Sequence, residues 1–218
     1  PRAREIIKKF DECLDYFESA GKCTEVINVG AAYGAVPEFV GRIIFEFQRD
    51  YPQYQIEISE YPDLLCDEAV ENDKVELGFS VGPIDQNKFQ GHLVFSETGC
   101  LLVQKTHPLA KRESISVKEL KDKPLMIMNE DSKTFHAFND CCKKHGFTPE
   151  IKYRAAEVFA IHRFVNANEG IGISIMSVAE EIGLYNVVAV PLKDEDMIWK
   201  IYLIQKKGEL LSYPARVF

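Results

Sequence analysis

VINVGAAYGAVPEFVGRIIFEFQRDYPQYQIEIS, residues 26–59, reads as a complete strand–loop–helix–strand unit. The apolar strand Val26–Gly30 is interrupted by Gly30 and Gly34, and Pro37 opens a helix. Proline suits a first helical turn because its missing N–H would have no partner there. Val36, Phe39, Val40, Ile43, Ile44 and Phe47 recur at three- and four-residue steps, so one helical face is apolar. Tyr51-Pro52 stops the helix, and Gln55–Ser59 alternates polar with apolar as a second strand. The glycine-bearing loop leaves the helix N-terminus, with its unpaired N–H groups and positive dipole end, able to hold a ligand oxygen.

The chain has 218 residues, 46% of them hydrophobic, which is ample for a core and natural for two lobes or one larger α/β domain. Net charge is −8 with no Lys/Arg-rich run, which argues against this chain gripping a phosphate backbone by itself. No segment approaches the roughly 18 consecutive apolar residues that a membrane span requires, and no signal-peptide apolar region is present. An opening at Pro1 rather than Met is read as that of a fragment or a processed product. The six cysteines, at irregular spacing without a C-x-x-C pair, read as reduced thiols, and a cytoplasmic location follows.

Upstream of the opening unit, residues 3–20 form an amphipathic pattern, with Ile6, Phe10, Cys13, Leu14 and Phe17 on one face and Gly21 as the stop. Downstream, helix expectations are Asp63–Asn72, Val117–Leu120, Lys133–His145, Val158–Ala167 and Ser177–Ile182. Strand expectations are Val75–Val81, Gly91–Ser96, Gly99–Gln104, Pro124–Met128, Ile151–Ala155, Gly170–Ile175, Val187–Pro191 and Ile198–Lys206. Strands alternating with helices imply parallel sheets with crossover helices.

The opening unit closed by "YP" before its second strand, "VELGFS" at 75–80, "HPLAKRESISVKELKDKPLMIM" at 107–128 and "NANEGIGISIM" at 166–176 occur in an order that resembles the effector-binding domain of LysR-type transcriptional regulators. That resemblance covers almost the whole chain. It departs from the family pattern at Met176-Ser177, where Pro usually follows, and after Ser212-Tyr213-Pro214, where the final helix is short or truncated. It implies an α/β fold of two Rossmann-like lobes joined by two crossover strands, like type 2 periplasmic binding proteins, preceded by an N-terminal helix. On this mapping residues 1–22 are a linker and dimerisation helix, 23–97 plus 193–218 are lobe I, and 98–192 are lobe II. The hinge falls near Ser96–Gly99 and Val190–Leu192, and the DNA-binding winged helix-turn-helix is absent upstream. The implied function is sensing of a small metabolite between the lobes, without catalysis. The alternatives are a transporter's solute-binding protein of the same fold, disfavoured by the first helix and the free thiols, and an enzyme on a related two-lobed fold.

Catalytic and cofactor motifs are wanting. G-x-G-x-x-G, a Walker phosphate loop and a zinc-protease motif are all absent, and no cofactor is expected. His136, Cys141, Cys142 and His145 crowd one helix at metal-ligand spacing. Phe135, Phe138 and Cys142 already make an apolar stripe there, so no metal is assigned. No cysteine–histidine spacing specifies a covalent catalyst, and 34 acidic residues bring carboxylates together by chance.

In open α/β lobes ligands lie beyond the carboxyl ends of parallel strands. The candidate effector-binding residues are therefore Ala31, Ala32, Tyr33 and Gly34 after the first strand, Tyr61 after the second and Gly82 after the third. In the second lobe they are Asn129, Ser132 (an N-cap) and Lys133 at the start of a helix, Phe159 on the next helix, and Met176. Many members of the resembling family carry Ser or Thr where this chain has Ala31 and Ala32, so backbone amides or the Tyr33 hydroxyl would substitute. The expected effector is a small metabolite bearing a carboxylate on an apolar body. Glu130 and Asp131 disfavour a multiply charged anion, and Lys133 partly offsets them. Self-association as a dimer or tetramer is expected through the helix at 36–50 and the edge strand Tyr54–Ser59, with DNA contacted only through the missing domain and no membrane partner.

Overall fold

A computed structural model describes residues 26–35 and 40–218, together with Lys9. The helix expected over 3–20, the 1–22 linker and the helix start at Val36–Phe39 lie outside the described residues, Lys9 apart. The first three elements are β1 (Val26–Ala32), α1 (Gly41–Asp50) and β2 (Gln55–Tyr61), followed by α2 (Asp63–Glu71), β3 (Leu77–Val81) and the long β4 (Phe89–Gln104). Then come β5 (Pro124–Met128), α3 (Lys133–Lys144), β6 (Glu150–Ala155), α4 (Val158–Asn166) and β7 (Ile171–Ile175). The chain continues through α5 (Met176–Ile182), β8 (Val187–Pro191), β9 (Ile198–Lys206) and the short α6 (Tyr213–Val217).

The strands are ordered β2-β1-β3-β9-β4-β7-β5-β6, with β8 also paired to β4. This order contains the same arrangement twice. In the first half β2, β1 and β3 run parallel and are followed by antiparallel β9 and β4. In the second half β6, β5 and β7 run parallel, followed by antiparallel β4 and β8. The central strands β3 and β7 are buried along their whole length, as strands covered on both faces must be. The outer strands β2 and β6 are largely exposed.

Each half has its own core. Ile27, Val29, Phe79 and Ile201 anchor the first, and Leu101, Ile127, Phe138 and Ile173 the second. Each such side chain removed from water contributes about 1.5–3 kcal/mol. On α1, Ile44 and Phe47 face the core while Phe45 is 71% exposed.

The two strands expected at Gly91–Ser96 and Gly99–Gln104 are one. β4 pairs with β9 from Phe89 to Thr98, then with β7 and β8 from Gly99 onward, so it belongs to both halves. Its polar interruption at Glu97-Thr98-Gly99 marks the passage rather than a break. A Cβ at Gly99 would lie 2.8 Å from the carbonyl oxygen of Met197, so the second connecting segment crosses against bare backbone. Gly172 has a similar role in β7, because a Cβ there would sit 2.6 Å from Ile161 of α4. That close approach brings the start of α4 toward the gap between the halves.

Candidate functional site

The halves enclose a cavity of about 430 Å³, within the range of pockets that hold small organic molecules. Strand ends and helix starts shape it. The loop after β1 contributes Tyr33 and Gly34, and Glu60 comes from the end of β2 and Asp63 from the start of α2. From the second half come Met128, Ser132 and Thr134 around the start of α3, then Glu157, Val158 and Phe159 at the start of α4. The floor is apolar: Ile173 and Ile175 of β7, Val178 and Ile182 of α5, and Trp199 of β9. Ser174 and Glu181 complete the wall. Tyr33 and Phe159 are 38% and 46% exposed, so their rings are available to a ligand.

Beside the cavity the halves are tied together by charge. Asp63, the first residue of α2, accepts hydrogen bonds from Ser132 Oγ at 3.0 Å and from the Lys133 N–H at 2.8 Å. The N-terminus of α3, where the sequence puts an effector carboxylate, therefore already holds a carboxylate of this chain. Burial pushes the Asp63 carboxyl upward, and the Lys133 N–H, Ser132 and the Lys133 charge pull it back. The Lys133 ammonium, 7% exposed, turns away into the first half. It donates to Asp67 Oδ2 at 2.6 Å, Ser80 Oγ at 3.1 Å, the Val81 carbonyl at 2.6 Å and the Pro83 carbonyl at 3.1 Å. Ser80 also donates to Asp67.

Of the residues singled out from the sequence, Tyr33, Gly34, Ser132 and Phe159 line the cavity. Asn129 borders a smaller adjoining hollow with Tyr33 and Asp63. Ala31 and Ala32 are fully buried in the first core, so their loop contributes only its later residues. Tyr61 is half-buried against that core, and its carbonyl accepts from the Tyr33 N–H at 2.9 Å. Gly82 donates its N–H to the Lys200 carbonyl at 2.8 Å, and Met176 packs beside Met126, Ile161 and Val165. Lys133 faces away for the reason just given. Sequence reading missed Asp63, Ser174, Glu181, Trp199 and the strand residues of β7. Only Trp199, the single tryptophan, carries any signal by itself.

Chemically the cavity offers shape and carboxylates, with a buried serine–histidine pair at its wall. Ser174 Oγ lies 2.9 Å from His162 Nε2, both residues being buried, and burial pushes the imidazole down to about 4. His162 is thus neutral at pH 7 and serves to fix the serine. The buried thiols of Cys66 and Cys142 are pushed up to about 12 by desolvation, the reverse of what a nucleophile needs. One group among the described residues could surround an ion: Cys141, His145 and Asp194, whose ligand atoms lie within 4.8 Å of one another. Asp194 is already engaged there. It accepts from Ser116 Oγ at 3.0 Å and the Val117 N–H at 2.7 Å, and lies 2.8 Å from His145 Nε2, tying α3 to the turn before β9. No described helix is long and apolar enough to cross a membrane.

Two α/β halves that share a strand and enclose a cavity at their strand ends define a periplasmic-binding-protein-like ligand-binding domain. Residues 21–218 match the family model described as the LysR substrate binding domain, and the chain belongs to that family. It is similar to the uncharacterised HTH-type transcriptional regulator YwbI of Bacillus subtilis, with 28% identity over 180 residues, 83% of this chain and 60% of that protein. It is also similar to the HTH-type transcriptional regulator BenM of Acinetobacter baylyi, with 24% identity covering 97% of this chain and 70% of that protein. The solved effector-binding domain of BenM with benzoate superposes with a TM-score of 0.77 at 24% identity, covering 88% of each chain. The Synechocystis CcmR regulatory domain in complex with 2-PG superposes at 0.80 with 15% identity, covering 89% of this chain and 93% of that one. At such identities the superpositions establish the fold. The chain spans about 60–70% of the length of these two curated relatives.

Proposed function

We propose that this chain is the ligand-sensing part of a cytoplasmic LysR-type transcriptional regulator, acting by binding rather than catalysis. The observation that carries this reading is the cavity of about 430 Å³ walled by both halves of a chain that belongs to the family. Residues 23–97 plus 193–218 form one lobe and 98–192 the other. A small organic effector between them favours one interlobe angle, because a ligand shifts a two-state equilibrium only by its differential affinity for the two states. The domain-level test is a thermal-shift screen of metabolites followed by calorimetry. Tyr33→Ala and Phe159→Ala should each weaken a confirmed ligand about tenfold, the loss of an aromatic contact worth about 1.4 kcal/mol. Unchanged affinity in both variants would remove the effector from this cavity. DNA binding belongs to a separate N-terminal domain in this proposal, so the chain alone should give no discrete gel-shift complex with duplex at low salt.

Self-association is the second part of the proposal. Among the described residues strand β2 stands at the sheet edge, paired to β1 on one side only, and Ile58 on it is 39% exposed. Phe45 on α1 adds a larger exposed apolar surface nearby in sequence. A twofold contact through α1 and β2 would cover both. Light scattering at micromolar concentration should report a dimer or larger species, and Phe45→Asp with Ile58→Lys should lower its mass toward that of one chain. A wild-type monomer would discard the contact.

A further inference from the structure

The cavity's charge is one-sided. Four carboxylates, Glu60, Asp63, Glu157 and Glu181, line it, and among the described residues no lysine or arginine does. Asp63 is committed to Ser132 and the Lys133 amide. Glu60, Glu157 and Glu181 are exposed, and their side-chain carboxylates form no ion pair or hydrogen bond among the described residues. The two features that would draw an anion are both neutralised internally. The start of α3 carries the Asp63 carboxylate, and the Lys133 ammonium is enclosed by Asp67, Ser80 and two carbonyls. The start of α4 does present the Val158 and Phe159 amides, but Glu157 occupies its cap and sets a negative charge beside them. Facing this rim is an aromatic and aliphatic wall that includes Tyr33, Phe159 and Trp199. Aromatic faces attract organic cations as readily as they accept apolar bodies. The Arg163 guanidinium, 4.8 Å from the Phe159 ring centre, already occupies one face of that ring, so a ligand cation would have to meet the other face against that like charge.

We propose that the effector of this cavity is an organic cation: a protonated amine, or a related ammonium, on an apolar body. This rests on the reading of the cavity as the effector site, and the site itself is fixed by its walls rather than by its acidic rim. The carboxylates select charge and the aromatic wall takes the body. This proposal departs from the carboxylate effector expected from the sequence, because the α3 N-terminus and Lys133, on which that expectation leaned, hold the halves together.

The test uses probes of matched shape and opposite charge. Benzylamine and benzoate, together with the corresponding longer aryl-alkyl amines and carboxylates, are titrated at constant ionic strength and pH 7 into the chain with its backbone amides labelled for NMR. The expected result is that the amines move the amide signals of Gly34, Thr134 and Phe159, whereas the carboxylates do not. Glu157→Gln combined with Glu181→Gln should weaken the best amine about fivefold, as two partly screened ion pairs predict. Phe159→Ala should weaken it without changing the preference for amines. Carboxylates that move those signals more strongly than amines, with the Gln variants improving them, would overturn the charge assignment while leaving the effector cavity in place. Silence of all three signals toward both series would overturn the cavity reading and this inference with it. Fold and stability of each variant are checked by the dispersion of the same spectra.

Discussion

Lys133→Met should lower the stability of the chain by about 3–5 kcal/mol, the range for removing one partner of a buried ion pair. The methionine fills most of the lysine's volume, so the cost is electrostatic rather than a cavity. The ammonium has acceptors at 2.6 Å on Asp67 and on the Val81 carbonyl, and at 3.1 Å on Ser80 and the Pro83 carbonyl. Without it the Asp67 carboxylate, only 19% exposed at its side chain, loses the one cation that an ion pair gives it among the described residues. The midpoint of urea unfolding reads the loss directly. Because α3 packs on the second half while Asp67 and Ser80 belong to the first, the variant should also unfold less cooperatively, with the Trp199 fluorescence and far-ultraviolet transitions separating. Adding Asp67→Leu should recover part of the stability, since a pair replaced by apolar groups strands no charge. A single variant within 1 kcal/mol of the wild type, with coincident transitions, would show that the lysine does not hold the halves together.

Acidification should cost about 3.5 kcal/mol through His162 alone. Burial lowers its folded-state pKa from 6.5 to about 4. Between those values the unfolded chain binds a proton on this residue that the folded chain does not. Stability therefore rises with pH across that window, and is lost as pH falls from about 6.5 through about 4. Each unit of pKa separation is worth about 1.4 kcal/mol, which gives the total. Desolvation alone sets the shift: the partner Ser174 is a neutral hydroxyl, and the Cys100 thiol beside Ser174 is itself pushed upward by burial. His162→Gln retains a side-chain nitrogen for Ser174 and should flatten the acid limb of unfolding midpoint against pH. An unaltered limb in that variant would assign the acid loss to carboxylates elsewhere.

The strands β5, β8 and β9 fall at the residues their apolar runs mark in the sequence, because each is a short apolar segment bounded by turn residues. β4 is not legible in the same way. Its Glu97-Thr98 reads as a break, yet Glu97 accepts the Ser177 N–H at 2.9 Å from the start of α5, a partner that exists only once the halves have met. The site divides similarly. Tyr33, Gly34, Ser132 and Phe159 follow strands or open helices, and glycine, proline and serine announce such places in sequence. Ile173, Ile175 and Trp199 reach the cavity because of which sheet face looks into the gap, and alternation alone leaves that face unassigned. Lys133 was legible as a residue beside a helix start, but its direction depends on a contact with α2 from the other half.

The shared strand also sets an odd–even rule for the chain. Leu101 and Val103 of β4 enter one core of the second half, while Cys100 and Leu102 enter the cluster on the opposite face. In the same strand Phe95 packs against the core of the first half. Beyond the register shift at Leu93–Phe95, where the adjacent Val94 and Phe95 both pack on the first core, one alternation assigns sides in both halves, and the parity of the count through Glu97–Gly99 keeps the two assignments compatible. One added residue there would exchange the faces of everything beyond it, whereas two would restore them. Length variation in this segment should therefore be tolerated in pairs.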